Sequence, residues 1–253
     1  MDEGIELMKN LVKFKVTSMP DFFMDRIVRV PSQEIVMNQI SDKIAAGGGS
    51  IRNMLQMEVK GGNSVNTSYA LAKLGINVEL IVVADKVFTT ANENNVITYF
   101  APADLAERRV ELPALFTRLK ENLKILSLNE NEARVLAKAL SCEHLPLEYL
   151  SKDITRAARN LNKRTTIDID IHTPIGSASA NGEETFFEET YKISQNSCTG
   201  AGDVWDAANI GGYLLALDPN IRLKLANAAA GSYVSSKNME APSKEQLFAF
   251  LER

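Results

Sequence analysis

The segment Cys198-Thr-Gly-Ala-Gly-Asp-Val-Trp-Asp-Ala-Ala-Asn-Ile-Gly-Gly places a glycine-rich turn directly before an apolar, helix-forming run. Such a turn presents backbone N–H groups at a helix N-terminus, where the dipole favours an anion and glycine lets a phosphate approach without a Cβ in the way. Asp203 ends the turn, and a carboxylate beside an anion needs a reason. The same dipole also stabilises it as an ordinary first-turn aspartate. Taken alone, these residues leave a site and a cap equally open.

Other positions carry related signals. Gly61-Gly62-Asn63-Ser64-Val65-Asn66 precedes the helix-like Tyr-Ala-Leu-Ala-Lys-Leu and Gly75. Asn129-Glu130-Asn131-Glu132 follows the strand-like Lys124-Ile-Leu-Ser-Leu, and Asp25 lies beside Arg26-Ile-Val-Arg-Val. A carboxylate accepts two hydrogen bonds at once and suits a diol, whereas an amide both donates and accepts. Each of these residues also has a plain reading as a cap, turn or surface group. The two histidines, His144 and His172, are far apart in sequence and suggest neither a metal site nor a Ser-His-Asp relay. Cys142 and Cys198 show no zinc or redox spacing, which points to a reducing compartment or simple burial.

Taken in order, these segments resemble the ribokinase (PfkB) family. Its C-terminal signature reads Asp-Thr-Thr-Gly-Ala-Gly-Asp with an aromatic residue two positions on; Thr199 to Asp203 and Trp205 match it. The resemblance implies that Asp203 removes the proton from an acceptor hydroxyl and that Gly200, Ala201 and Gly202 form an anion hole for the transferred phosphoryl group. Thr199 goes with the nucleotide. Gly61, Gly62 and Asn66 match the N-terminal signature and would hold acceptor hydroxyls, with Asp25 as the diol reader. Asn129 and Glu132 match the Asn-x-x-Glu element associated with phosphate and magnesium, Glu132 acting on the metal through water. Asn227, in Ala226-Asn-Ala-Ala-Ala-Gly231, falls on the small-residue helix beside the adenine pocket. ATP and Mg2+ are the implied cofactors, and a sugar, sugar acid or nucleoside the implied small-molecule partner.

The elements needed to position these residues are legible in outline. Alternation from Leu11 to Thr17 and the run Arg26 to Val30 predict two early strands. Residues 34–60 lack a helical period and suggest a small sheet; a β-rich lid over about 26–60 is expected. A capped, amphipathic helix is predicted from Ser64 to Leu74, closed by Gly75, then a strand from Asn77 to Val83. Strand-like runs 124–127 and 165–171 alternate with helical runs 112–121, 130–140 and 152–161, which implies a mostly parallel sheet flanked by helices. Asn181-Gly182 marks a hairpin, and helices follow at about 201–217, 220–235 and 243–252. No repeat or low-complexity linker divides residues 1–253, so one α/β domain of ribokinase-like type is expected.

With 253 residues and 45% hydrophobic content, the chain can bury a proper core. A net charge of −4 and the lack of a Lys/Arg run argue against nucleic acid or an anionic membrane as principal partner. An acidic Met-Asp-Glu-Gly-Ile-Glu start and no long apolar stretch predict a cytoplasmic protein. Ile35, Val36 and Ile51 favour a homodimer through the lid, and Met37, Met54 and Met57 could pack on a base beneath it.

The match departs from the family pattern in places. Ser197 and Cys198 stand where Asp-Thr is usual, which puts a monovalent-cation site in doubt, and Ala208 replaces a glycine. After Val83 the chain reaches the asparagine element several dozen residues early, which puts the acceptor pocket in doubt. Phosphorylation of a sugar or sugar acid is the leading expectation and a nucleoside kinase the near alternative. A non-catalytic ligand-binding or regulatory protein on the same fold is the alternative of another class.

Overall fold

The structure, a computed structural model, describes residues 10–18, 23–29, 32–45, 55–80, 96–102, 105, 109–142, 151–182, 184–194, 198–238 and 240–252. In chain order the described strands and helices are β1 (Lys15–Ser18), β2 (Phe23–Arg29), α1 (Gln33–Ala45), β3 (Leu55–Gly61), α2 (Asn63–Lys73), β4 (Asn77–Leu80) and β5 (Tyr99–Phe100). There follow α3 (Leu112–Leu119), β6 (Ile125–Asn129), α4 (Glu130–Ala139), α5 (Ser151–Thr165), β7 (Asp168–His172), β8 (Gly176–Asn181) and β9 (Glu184–Glu189). Helices α6 (Ala201–Leu214), α7 (Pro219–Ser235) and α8 (Lys244–Leu251) close the chain.

A five-stranded sheet runs in the order β5-β6-β7-β8-β9. β5, β6 and β7 pair in parallel while the β7–β8 and β8–β9 pairs are antiparallel, so the expected mostly parallel sheet is a mixed one. The reason is local. Only Thr173 to Ile175 join β7 to β8, far short of the dozen or more residues a parallel crossover needs. The Asn181-Gly182 turn then reverses the chain again, with Gly182 at φ 67, a left-handed conformation that glycine adopts without a Cβ clash. Separately, β1 pairs in parallel with β4, and β2 pairs antiparallel with β3 from Phe23↔Gly61 to Arg29↔Leu55.

Two expectations fail near the N-terminus. Residues Asn10–Lys13 form a 3-10 turn, closed by the Phe14 N–H on the Leu11 carbonyl, because Leu11 turns fully into the core and a strand would alternate past it. Within the span expected to be sheet, Gln33–Ala45 is helical. Ser32 starts it, accepting from the Ile35 N–H at 3.2 Å. Its apolar residues Ile35, Met37 and Ile44 remain exposed, so burial imposed no period on the sequence. The segment after Val83, Ser197, Ile51 and Met54 lie outside the described residues.

The central strands carry two kinds of face. Leu126, Leu128, Ile169, Ile171, Ala178 and Ala180 pack with Phe116, Leu136 and Leu161 of α3, α4 and α5. The alternate positions Ser127, Asp170, Ser177 and Ser179 are just as buried but polar, and they meet α6 and α7. Those helices share a second apolar core with α2 and α8, centred on Leu71, Trp205, Leu223 and Leu247. Buried polar groups persist only when hydrogen-bonded, so this inner face is a partnered network. Among the described residues no helix is long and apolar enough to cross a membrane.

Candidate active site

A cavity of about 490 Å³ opens where β6 and β7 end and α6 begins, the place at which open α/β sheets hold ligands. Asn129, Glu132, Gly200, Ala201, Gly202, Asp203 and Asn227 all lie on its wall.

The N-terminus of α6 is built for close approach. Gly200 caps the helix at φ 84, and a Cβ there would lie 2.8 Å from Tyr233 Oη. Tyr233 Oη in turn donates to the Thr199 carbonyl at 2.8 Å, pinning the turn to α7, while the Thr199 side chain faces outward. A Cβ on Gly202 would come within 3.0 Å of His172 Cε1. Of the three expected anion-hole amides, that of Ala201 donates to the Cys198 carbonyl at 3.1 Å and serves the turn itself. Gly202 sits in the first helical turn, where N–H groups have no partner inside the helix.

Asp203 is buried, and its Oδ2 accepts a hydrogen bond from Asn66 Nδ2 at 2.8 Å. The two glycine-containing segments therefore meet, although 137 residues separate the partners. Asn66 stands in the first turns of α2, entered through Gly62 at φ 99. Gly61 ends β3 opposite Phe23. Asp25 occupies β2 opposite Val59, and its side chain is outside those described.

Asn129 and Glu132 form a capping box at the start of α4. Asn129 Oδ1 accepts from the N–H groups of Asn131 and Glu132 at 2.9 and 3.0 Å, and Glu132 Oε2 accepts from the Asn129 N–H at 2.8 Å. Both residues thus hold the helix end that forms the cavity wall. Among the described residues no group of three or more His, Cys, Asp or Glu side chains is arranged to hold a metal ion. Magnesium needs no such cage, since it keeps several waters and takes few carboxylates. Glu132, with Oε2 committed to the cap, fits a role through water.

Asn227 reaches the wall but spends its side chain on the protein. Its Oδ1 accepts from Ser177 Oγ and Trp205 Nε1, both at 2.9 Å, and its Nδ2 donates to the carbonyls of Glu188 and Glu189, both at 3.1 Å. With two donors and one oxygen all engaged, it ties α6, β8 and β9 together rather than offering a polar edge to a base.

Four residues on or beside the wall were not anticipated as site residues. Asp206 accepts through Oδ1 from Tyr99 Oη at 2.7 Å and from Ser127 Oγ at 2.5 Å. Burial raises its pKa to about 7, against the lowering effect of those bonds and with help from Asp170. His172 lies against Trp205 with ring centroids 5.0 Å apart, and burial, partly offset by Asp170, lowers its pKa to about 4. An aspartate inside the apolar run Val204-Trp-Asp-Ala-Ala was the visible signal for Asp206. The described wall carries Glu130, Glu132, Asp203 and Asp206, and no lysine or arginine.

No protein-family model matches the chain, and no curated protein matches its sequence. Solved structures do match in fold. Ribokinase from Cryptococcus neoformans var. grubii serotype A, in complex with ADP, aligns at TM-score 0.70 and 14% identity over 94% of this chain and 98% of that one. The 2-dehydro-3-deoxygluconokinase of Thermotoga maritima gives 0.70 and 12% over 95% and 98%. The nucleoside kinase of Methanocaldococcus jannaschii, an archaeal member of the ribokinase family, gives 0.64 and 16% over 94% and 98%. Likeness at these identities speaks to architecture, and on that ground the chain has the ribokinase-like α/β fold.

Proposed function

We propose that this protein transfers a phosphoryl group from ATP to a hydroxyl of a sugar or sugar acid, with Asp203 as the base. The observation that carries the reading is the 2.8 Å hydrogen bond from Asn66 to Asp203 on the wall of a cavity shared with the Gly200–Gly202 turn. One carboxylate oxygen is thereby held in place, which orients Asp203 in a site whose chemistry rests on positioning. The acceptor hydroxyl loses its proton to Asp203 as its oxygen bonds to the γ-phosphorus. The bond from that phosphorus to the bridging oxygen breaks, and ADP leaves. First-turn amides of α6 face the charge that develops on the phosphoryl oxygens. Magnesium, when bound with the nucleotide, supplies neutralising charge, which matters on a wall with four carboxyls and no cationic side chain. The fold likeness to sugar kinases, one of them holding ADP, supports the class.

A nucleoside acceptor is the second reading, favoured by the comparable likeness to a nucleoside kinase. Asp25, Gly61 and Gly62 are assigned to the acceptor in either case. Self-association through the β2–β3 pair and α1 belongs to the same proposal and is supported by the exposure of Ile35, Met37 and Ile44. Sedimentation showing only monomer at micromolar concentration would remove that part.

The test is ADP release from ATP and magnesium against a panel of sugars, sugar acids and nucleosides, with Asp203→Asn in parallel. Acceptor-dependent release should fall by about 10²–10⁴-fold in the variant. ATP binding without turnover for any acceptor would favour a non-catalytic binding protein on the same fold.

A further inference from the structure

Asp206 stands one helical turn beyond Asp203 on α6 and is 4% exposed, yet it reaches the cavity wall. Among the described residues both of its hydrogen bonds end on Oδ1, from Tyr99 and Ser127, and Oδ2 has no partner. A carboxyl oxygen that lies at the cavity wall and has no protein partner is the atom left to a ligand. The question is which proton state it offers.

The surroundings answer that. Tyr99 Oη, besides donating to Asp206, accepts from Asn209 Nδ2 at 2.9 Å, and the same Nδ2 lies 2.8 Å from Asp170 Oδ2. Among the described residues the buried cation is Arg222 on α7, which is already committed to Asp170 on β7 at 3.0 Å and is not bonded to Asp206. His172 on β7 is neutral near pH 7. Asp203 on the same helix, and Glu130 and Glu132 on α4, share the cavity and add negative charge. No group facing Asp206 from β5, β6, β7, α4 or α7 supplies it with a counter-charge. A second anion one turn from Asp203 would also oppose any polyphosphate at the α6 N-terminus.

Resting on the kinase reading above, we propose that Asp206 is a nucleotide-binding residue that enters the cavity as a neutral carboxylic acid and donates from Oδ2 to a phosphoryl oxygen of the bound nucleotide. Oδ1 accepts from Tyr99 and Ser127, which orients the acid so that its hydroxyl points away from them. No charge is transferred in the ground state; one O–H···O bond forms. Ionisation of Asp206 replaces that donor by a repelling anion, so the protein binds nucleotide only in the fraction of molecules that keep the proton.

The experiment is titration calorimetry of ADP with saturating magnesium, at pH 6 and pH 8, on the full chain and on Asp206→Asn. Asparagine keeps an oxygen for Tyr99 and Ser127 and places an N–H donor where the acid hydroxyl stood. Because burial and Asp170 hold the acid near pH 7, the wild-type affinity should fall by about tenfold between the two pH values relative to the variant. The variant should match the wild type at pH 6, and the ratio cancels the titration of ADP itself. A constant ratio at both pH values, or a variant that binds far more weakly at pH 6 while its thermal unfolding is unchanged, overturns the assignment and leaves the kinase reading standing. If neither protein binds ADP at either pH, the kinase reading falls and this assignment falls with it.

Discussion

The guanidinium of Arg222 lies 3.0 Å from Asp170 Oδ2, with both side chains almost wholly withdrawn from water, 3% and 0% exposed. Around this pair the two facing layers are tied by further hydrogen bonds. Arg222 also bonds Asn209 and Ser179 and stacks 3.8 Å over the Tyr213 ring, while Tyr213 Oη donates to Asp170 at 3.0 Å. Burial, the largest single influence, would weaken the charge on Arg222, but Asp170 together with Tyr213 and Tyr99 outweighs it and raises its pKa. The network joins β7, β8, α6 and α7 and connects through Asn209 and Tyr99 to Asp206 on the cavity wall.

Removing one member should cost more than removing the pair. Arg222→Met leaves the Asp170 carboxylate buried without a counter-charge and should cost about 3–5 kcal/mol in urea unfolding. Asp170→Asn combined with Arg222→Met should recover part of that loss. A double variant as unstable as the sum of the singles would show that the two side chains act independently.

Gly212 makes room for the stem of Arg222: a Cβ there would lie 2.5 Å from Arg222 Cγ and 3.1 Å from its Cβ. The contact is with the stem, and the guanidinium is anchored at its far end, so the neighbour cannot swing aside. Glycine to alanine inside a helix usually stabilises, by roughly 0.5–1 kcal/mol. Here Gly212→Ala should instead destabilise by about 1–3 kcal/mol, a reversal of sign that thermal unfolding can read.

The capping box at α4 gives a smaller, local effect. Asn129→Ala removes the acceptor from two N–H groups and should cost about 1 kcal/mol in unfolding. If that helix end shapes the nucleotide site, the KM for ATP should rise in the same variant, whereas a purely structural cap would leave it unchanged.

Two buried groups pull stability in opposite directions with pH. Asp206 has a folded pKa of about 7, above the ordinary carboxylate value, so the folded state holds a proton the unfolded chain has lost. Its contribution is complete at acid pH and is lost as pH rises from about 4 through 7. His172 has a folded pKa of about 4, below its ordinary value, so the unfolded chain takes a proton that the folded state refuses. Its contribution is complete above about pH 6.5 and is lost as pH falls towards 4. In the wild type the slopes oppose each other between about pH 4 and 6.5. Chemical unfolding across that range should show stability rising with pH in Asp206→Asn and falling with pH in His172→Gln; unchanged slopes would refute both assignments.

Much of this protein was legible along the chain because the signals are short-range. Gly200 before α6, Gly62 before α2 and Gly182 in the hairpin all need positive φ, which glycine adopts without steric cost, and a glycine-rich turn ahead of an apolar run shows that by itself. The same holds for the α4 capping box and the alternation of helices with strands, down to the likeness of the Thr199–Asp203 turn to a kinase signature. Helix α1 escaped because Ile35, Met37 and Ile44 face solvent beside the half-buried Val36 and Ile40 and left no period to find. Only the tertiary structure decided the rest. It brought Asn66 to Asp203 across 137 residues, and it showed that Asn227 is spent on holding strands together. It also turned the alternation of Asp168-Ile-Asp-Ile-His, which reads equally well as a half-exposed strand, into a polar face buried under α6 and α7. Period-2 alternation tells two faces apart but not what covers them; Arg222, 52 residues away, supplied the partner that makes a buried Asp170 tolerable.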